Sequence, residues 1–337
     1  MNKRLITWAE ENEKLLANQF GFRPNKSTID AIFVLHGIIS HTLQNKEKLF
    51  CAFVDFCKAF DNVDRRILWY KLFNSGISSK TITMIKSIYA TVRLRVKTDG
   101  EFSEVFENIS CVKQGEPLSP LLFIFFINDI AKELETSNND DFVSVNGILI
   151  HLLLFADDTV LFGKTPEALQ LLLDKLLKYC SKWNIEVNKD KTEIIVFRNG
   201  WQQVNHSWYY DKHELKVVNS FVYLGNLFHY NGKFQQTQKR LSQQANKALA
   251  SLFNSFKMLY ISTQQKCEMF DSLVGSILSY GSEIWGFHHA RDIERVYNKF
   301  CRFVLKVGKN DLYVLLSVNL DICQCILLEN KEYLNIG

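Results

Sequence analysis

From Leu215 to Cys267 the chain contains neither aspartate nor glutamate, yet seven basic residues fall there: Lys216, Lys233, Lys239, Arg240, Lys247, Lys257 and Lys266. The formal net charge is only +4, so the remainder is slightly acidic. A long acid-free window suits contact with a polyanion, although a solvated face with a chance sign bias has the same composition. None of the eight cysteines forms a CxxC pair, and several sit in apolar runs, as buried reduced thiols do. Cys323-x-Cys325 has no further Cys or His at zinc-site spacing. The longest apolar run, Pro120 to Ile127, is well short of a membrane span. No signal peptide is visible, so an intracellular setting is expected, nucleus and cytoplasm being indistinguishable. Internal repeats and low-complexity tracts are also missing.

What is present is ordinary globular material, with 47% hydrophobic and 23% charged residues over 337 positions. That length predicts two or three sub-domains, and 26 phenylalanines imply large buried faces. Ser27 followed by Asp30 is a capping signal, and Ile29, Ile32, Leu35, Ile38, Ile39 and Leu43 continue at helical spacing. Residues 48–56, KLFCAFVDF, predict a strand with Asp55 near its exit. Asp64 caps a helix through Phe73 that Gly76 ends. Asp99-Gly100 between alternating runs signals a hairpin. Residues 117–135 predict one buried helix, and 165–180 a second with a stripe through Leu169, Leu172, Leu173, Leu176, Leu177 and Cys180. Residues 191–197 and 220–228 each predict a strand. Leu241, Ala245, Ala248, Leu252 and Phe256 mark a helix from Phe234 to Phe256. Strands and helices alternate to about residue 228 and helices dominate afterwards, which is an α+β body followed by an α-rich appendage.

The stretch LLLFADDTVLF (152–162) sets Asp157 and Asp158 inside an apolar run. Burying a carboxylate beside a like charge is costly, so something must compensate. Two apolar strands meeting at the acids predict a hairpin with both carboxylates at its tip. An Asp-Asp at a turn is by itself common turn chemistry. Asp55 at the end of another strand would make three acids from two elements, enough to seat a magnesium pair about 4 Å apart for phosphoryl transfer. Divalent cations would offset the repulsion between them.

Five segments strengthen that reading by their order: VDFCKAFDNVD (54–64), VKQGEPLSPLLF (112–123), LLFADDTVLF (153–162), NKDKTEIIVF (188–197) and YLG (223–225). They resemble the palm motifs of reverse transcriptases from non-LTR, LINE-type retrotransposons. NQFGFRPNKST (18–28) resembles the block before them, and LSYGSEIWG (278–286) the segment after the thumb. The resemblance implies a right-hand polymerase palm, an antiparallel sheet with packed helices, joined to partial fingers and a helical thumb. Residues 1–47 would be partial fingers, 48–230 palm with inserted fingers elements at about 65–113, 231–270 thumb, and 271–337 a helical post-thumb segment. It further implies that Asp55, Asp157 and Asp158, with the Phe56 carbonyl, hold two Mg2+ ions, Mn2+ being a substitute. Phe60 stands where the family excludes a ribose 2′-hydroxyl, and Gln114 and Gly115 where it packs beneath the incoming nucleotide. Lys191 matches a lysine near the departing pyrophosphate. Alone, Phe60 reads equally as core and Lys191 as a solvated strand-edge residue.

Tyr223, Leu224 and Gly225 match a turn that grips the primer end, Lys239, Arg240 and Lys247 would touch duplex phosphates, and Arg23 the template. The implied partners are an RNA template, a DNA primer and deoxynucleoside triphosphates, with no membrane. Glu116 stands where the family often has Asp, which keeps the charge. MNKRLITW resembles only the tail of the fingers segment, so an N-terminally truncated chain with weakened nucleotide binding is expected. Two functions therefore remain open: an RNA-directed DNA polymerase, and a relic that binds nucleic acid through its basic thumb without turnover. A metal-dependent nuclease uses similar acids but leaves QGEPLSP and YLG unexplained.

Overall fold

The computed structural model describes residues 1–90, 93–107, 112–113, 115–135, 141–200, 205–286, 289–306 and 308. Gln114, Cys323 and Cys325 lie outside the described residues, as does most of the chain after Leu305. Two compact units emerge, one of Met1–Leu224 with His229–Gly232, the other of Gly225–Phe228 with the chain from Lys233 onward.

The first unit is built on a five-stranded sheet in the order Lys216–Val217, Glu193–Phe197, Leu49–Val54, Asp158–Gly163, Leu152–Phe155. All six residues of Leu49–Val54 are buried, as befits a central strand covered on both faces. It pairs antiparallel with Glu193–Phe197 on one side and Asp158–Gly163 on the other. The sheet is antiparallel, as expected, except at one edge, where Lys216–Val217 adds to Glu193–Phe197 in parallel. Phe50, Ala52 and Val54 join a core with Leu161, Ile194, Val196 and the helical stripe Leu169, Leu172, Leu173 and Leu176. The alternate residues Cys51, Phe53, Val160, Phe162 and Ile195 are equally buried on the opposite face. The helix Thr28–Gln44 packs against the strands Leu49–Val54 and Leu152–Phe155. Its start carries the expected reciprocal cap between Ser27 and Asp30. The cap at Asp64 also forms where the sequence places it, and Thr165 caps the helix expected from that residue onward. Asp99 and Gly100, with φ of 52° and 93°, make the expected tight hairpin turn.

Three expectations are corrected by local chemistry. The helix expected over 117–135 breaks into Ser119–Ile127 and Ile130–Leu134. At the break, the Asn128 side chain accepts from the Leu16 amide and donates to the Lys14 carbonyl, pinning an incoming loop. The strand expected over 220–228 is two, Ser220–Tyr223 and Asn226–His229, because Leu224 and Gly225 both take positive φ, 44° and 83°. In the second unit the buried stripe of the helix Gln235–Met258 runs through Leu241, Ala245, Leu249, Leu252 and Phe256, with Leu249 in the place assigned to Ala248. That helix packs on Arg291–Leu305, where Phe303 stacks on Phe253 at 4.2 Å.

One close approach fixes how the helix Pro166–Trp183 sits on the sheet. A Cβ built on Gly163 would lie 2.6 Å from the Leu169 backbone nitrogen, so only glycine lets the strand end meet the helix. Gly163→Ala is expected to cost about 1–3 kcal/mol of stability, the scale of overpacking in a closed core. A urea titration of the variant beside the parent chain measures it.

Candidate active site

The site follows from strand register. Val54 pairs with Thr159 and Phe155 with Asp158, so Asp55, the next residue after Val54, leaves its strand opposite Asp158. Directly opposed residues in antiparallel strands lie about 4.5–5.5 Å apart at Cα. That is inside the roughly 8 Å limit within which ions about 4 Å apart can bridge carboxylates. Ala156 and Asp157 are the two turn residues between the strands.

The backbone around Asp55 is clamped. Its amide donates to Thr192 Oγ1 at 3.3 Å, and its carbonyl accepts from the Asn188 amide at 2.7 Å. The Thr192 hydroxyl in turn donates to the Asn188 carbonyl at 2.8 Å. Phe56 forms an isolated antiparallel bridge with Val187, flanked by the Asp55–Asn188 and Cys57–Glu186 bonds. In such a non-hydrogen-bonded pair the Phe56 carbonyl turns away from residue 187.

A cavity of about 370 Å³ opens here, lined by Asp55, Asp158, Asp190 and Lys191 on its polar side and by Phe53, Phe221 and Tyr223 on its apolar side. Phe221 stacks on Phe53 at 4.3 Å. The Tyr223 hydroxyl is buried without a hydrogen-bond partner among the described residues, and burial with the nearby Asp158 charge pushes its pKa up. Lys191 Nζ stands 3.9 Å from Asp55 Oδ2, with 71% of the lysine side chain exposed, a loose pair free to turn toward another anion. Burial, then repulsion from Asp55, raises the Asp157 pKa. Asp158 is reachable by solvent, yet the surrounding protein atoms and the charges of Asp157 and Asp55 push it up to about 6. The carboxylates are therefore under-compensated in the bare protein.

Among the described residues no group of three or more His, Cys, Asp or Glu side chains is arranged to hold a metal ion by itself. Asp55 and Asp158 line an open groove with hard oxygen donors, while Asp157, on the adjoining turn, is not among its lining residues. The open lining fits an ion that completes its shell with water and substrate phosphates.

A second cavity, about 520 Å³, is lined by Phe22, Phe60, Lys113, Gly115, Glu116, Pro117, Ser119 and Pro120. Phe60 stacks on Phe123 at 4.7 Å and meets Phe22 edge-on at 6.5 Å. Gly115 has φ of 82° and open space around it. Arg23, expected at the template, is held elsewhere: it pairs with Glu10 at 2.5 Å and donates to the Leu16 and Gln19 carbonyls, leaving its side chain 11% exposed. In the second unit Lys239 and Lys247 are exposed on Gln235–Met258, and Arg240 donates to the Gly225 carbonyl at 3.2 Å.

The sequence profile of the family described as reverse transcriptase (RNA-dependent DNA polymerase) matches residues 1–228. The chain belongs to the reverse transcriptases. Within them it falls with the non-LTR retrotransposon enzymes. It is 28% identical over 223 residues to the Pol polyprotein of the type-2 retrotransposable element R2DM of Drosophila melanogaster, covering 64% of this chain and 21% of that protein. It is 27% identical over 202 residues to the RNA-directed DNA polymerase from the mobile element jockey of the same species, covering 58% and 21%. The probable RNA-directed DNA polymerase from transposon X-element matches at 23% over 317 residues, covering 89% and 33%. The chain thus spans about a fifth to a third of the length of these relatives. Among solved structures, telomerase from Candida tropicalis in complex with a fragment of telomeric RNA superposes with a TM-score of 0.50 at 14% identity, covering 90% of this chain and 49% of that one. The fold is the α+β fold of these polymerases.

Several residues that shape the site lie inside the motif-like segments 18–28 and 188–197 but were given no role from sequence: Thr192 and Asn188, which clamp Asp55, and Gln19 and Gly21, which reach the Asp157 turn. Asp190 could have been found, as an acid beside Lys191. Among the described residues no helix is long and apolar enough to cross a membrane.

The raised Asp158 pKa has a stability consequence. Its folded value of about 6 lies above the ordinary 3.8, so the fold disfavours the carboxylate. The cost is fully present above pH 6 and is relieved as pH falls toward 4. Asp158→Asn is expected to stabilise the metal-free protein at pH 7 by about 1 kcal/mol, after allowing for solvent screening. The gain should vanish near pH 4, and melting curves in EDTA at the two pH values read both.

Proposed function

We propose that this chain is the RNA-directed DNA polymerase portion of a retrotransposon protein, adding deoxynucleotides to a primer 3′-hydroxyl on an RNA template. The observation that carries the reading is the register that sets Asp55 opposite Asp158 at the mouth of an open groove. Asp55, Asp157, Asp158 and the Phe56 carbonyl would hold two Mg2+ ions, with Mn2+ as a substitute. When bound, such a pair supplies Lewis acidity to the attacking and leaving oxygens of an in-line displacement.

The protein's own residues would do the positioning. Phe60, backed by Phe123, offers a fixed ring against which a 2′-hydroxyl would clash. Gly115, with neighbouring Gln114, would let the backbone approach the nucleotide. Lys191 is exposed enough to leave Asp55 for a departing pyrophosphate, stabilising its charge or donating a proton. The buried Tyr223 hydroxyl, with Leu224 and Gly225, would face the primer end. Lys239, Arg240 and Lys247 on one helix would meet duplex phosphates. Arg23 is withdrawn from the template contacts, because Glu10 and two carbonyls occupy its guanidinium.

Primer extension on an RNA template tests the reading. Incorporation should require Mg2+ and fall on the order of 1,000-fold or more in Asp157→Ala, the scale seen when a transition-state charge stabiliser is removed. Extension that survives the substitution would show that Asp157 is not a metal ligand. Salt-sensitive binding with no incorporation at any nucleotide concentration would leave only the non-enzymatic relic. Phe60→Val should separately raise ribonucleotide over deoxynucleotide use, measured as the ratio of kcat/KM values for the two.

A further inference from the structure

Asp157 and Asp158 are aimed by a turn that an alanine is poorly suited to make. Ala156 is the first of the two turn residues between Phe155 and Asp158 and takes φ of +55°. Glycine is favoured at such a position, because a Cβ crowds the following carbonyl in the left-handed region. Ala156 is also 4% exposed, so water does not satisfy its backbone groups.

Gln19 supplies what the turn lacks. The residue is 1% exposed. Its Oε1 accepts from the Ala156 amide at 2.9 Å and from the Gly21 amide at 2.8 Å, and its Nε2 donates to the Ala156 carbonyl at 3.4 Å. One carboxamide thus holds both backbone groups of Ala156. The glutamine is itself held in place: Gln19 bridges Leu154 in parallel, the Phe20 amide donates to the Leu154 carbonyl, and the Leu154 amide donates to the Asn18 carbonyl. Asn18 Nδ2 adds a bond to the Leu152 carbonyl at 3.0 Å. Gly21 completes the seat, since a Cβ there would overlap the Ala156 amide nitrogen.

We propose that Gln19 is a positioning residue for the acidic pair: its buried carboxamide fixes Ala156 in the left-handed conformation and so directs Asp157 and Asp158 toward Asp55. The inference rests on the polymerase reading only for what the aspartates do, not for how they are held. It also gives the segment 18–21 a function distinct from template contact.

The test compares the parent chain with Gln19→Met, Ala156→Gly and the double variant, in primer extension and in Mn2+ binding followed by the electron paramagnetic resonance of free Mn2+. Gln19→Met keeps the bulk and removes the polar bracket. It should weaken Mn2+ binding and kcat by about 10- to 100-fold, the usual effect of losing a group that orients a metal ligand, while the nucleotide KM, measured with the metal saturating, stays within about twofold. Glycine adopts the turn without help, so Ala156→Gly in the Gln19→Met background should recover most of both losses. General loss of stability would not be rescued in this way.

Unchanged Mn2+ affinity in Gln19→Met, or a double variant no better than the single one, overturns the proposal. If Gln19→Met does not fold, Gln19→Asn, which withdraws the amide by one methylene, carries the same comparison. Mn2+ binding needs no turnover, so a parent chain that binds Mn2+ without extending primer counts against the polymerase reading and leaves Gln19 fully tested. A parent chain that does neither overturns both.

Discussion

Three carboxylates at the ends of neighbouring strands repel one another, and the structure must hold them together anyway. Each carboxylate gains by moving apart, and the groove is open enough to let side chains move. The backbone is therefore what must be rigid. Asp55 is fixed at both its amide and its carbonyl, by Thr192 and Asn188, and the turn carrying Asp157 is fixed at both backbone groups of Ala156 by Gln19. These restraints are neutral hydrogen bonds, buried at Ala156 and part-buried at Asp55, where solvent competes for them less than at the surface. Charge is thus confined to the side chains and holding to the main chain.

That division explains which parts were legible in the sequence. Asp55 and the Asp pair could be placed because strand periodicity is local: an apolar run with an acid at its exit puts that acid at the end of a strand, whatever the strand pairs with. Their meeting needed only that the two strands be neighbours. The bracket around Ala156 is different, because Gln19 and Ala156 are far apart in sequence and Asn18–Gly21 follows no period. Irregular backbone pairing leaves no periodicity to read, so the resemblance of 18–28 to a family block does not show what Gln19 holds. The break at Asn128 was hidden for a related reason: the periodicity of 117–135 continues through it, and only a tertiary partner, the Lys14–Leu16 loop, draws the asparagine out of the helix. Arg23 shows the limit from the other side. The residue type suggested an anionic polymer, and the structure supplies an internal anion, Glu10.

The apolar wall of the groove serves the same end as the clamps. Phe53 belongs to the central strand and faces Phe221 and Tyr223, so packing continues right up to the acids. Burial along that wall contributes to raising the pKa values of Asp157 and Asp158, since removing water from a carboxylate disfavours its charged form. A tyrosine hydroxyl buried there without a partner among the described residues is costly in the same way. Neither cost is needed for the fold, because an asparagine and a phenylalanine would satisfy the same shapes. Both would be lowered by whatever ligand brings positive charge and hydrogen-bonding groups into the groove.

The openness of the site is then a requirement of the proposed chemistry. A closed cage of acids would bind an ion tightly and leave no coordination position for a substrate. Aspartates spread along the lip of a groove provide only part of a shell, so an ion held there would remain incomplete until phosphate oxygens arrive. Affinity for the ion and affinity for the triphosphate would in that case be linked, each raising the other. For such linkage the aspartates must not relax outward while the groove waits, because every relaxed arrangement would have to be reversed when substrate binds. A rigid turn, pinned by a buried neutral side chain, keeps the repulsive arrangement in place through that interval. The seemingly wasteful choice of Ala156 with a glutamine partner, where a glycine could turn unaided, follows from the same need: glycine would permit the turn, and the bracketed alanine restricts the chain to it.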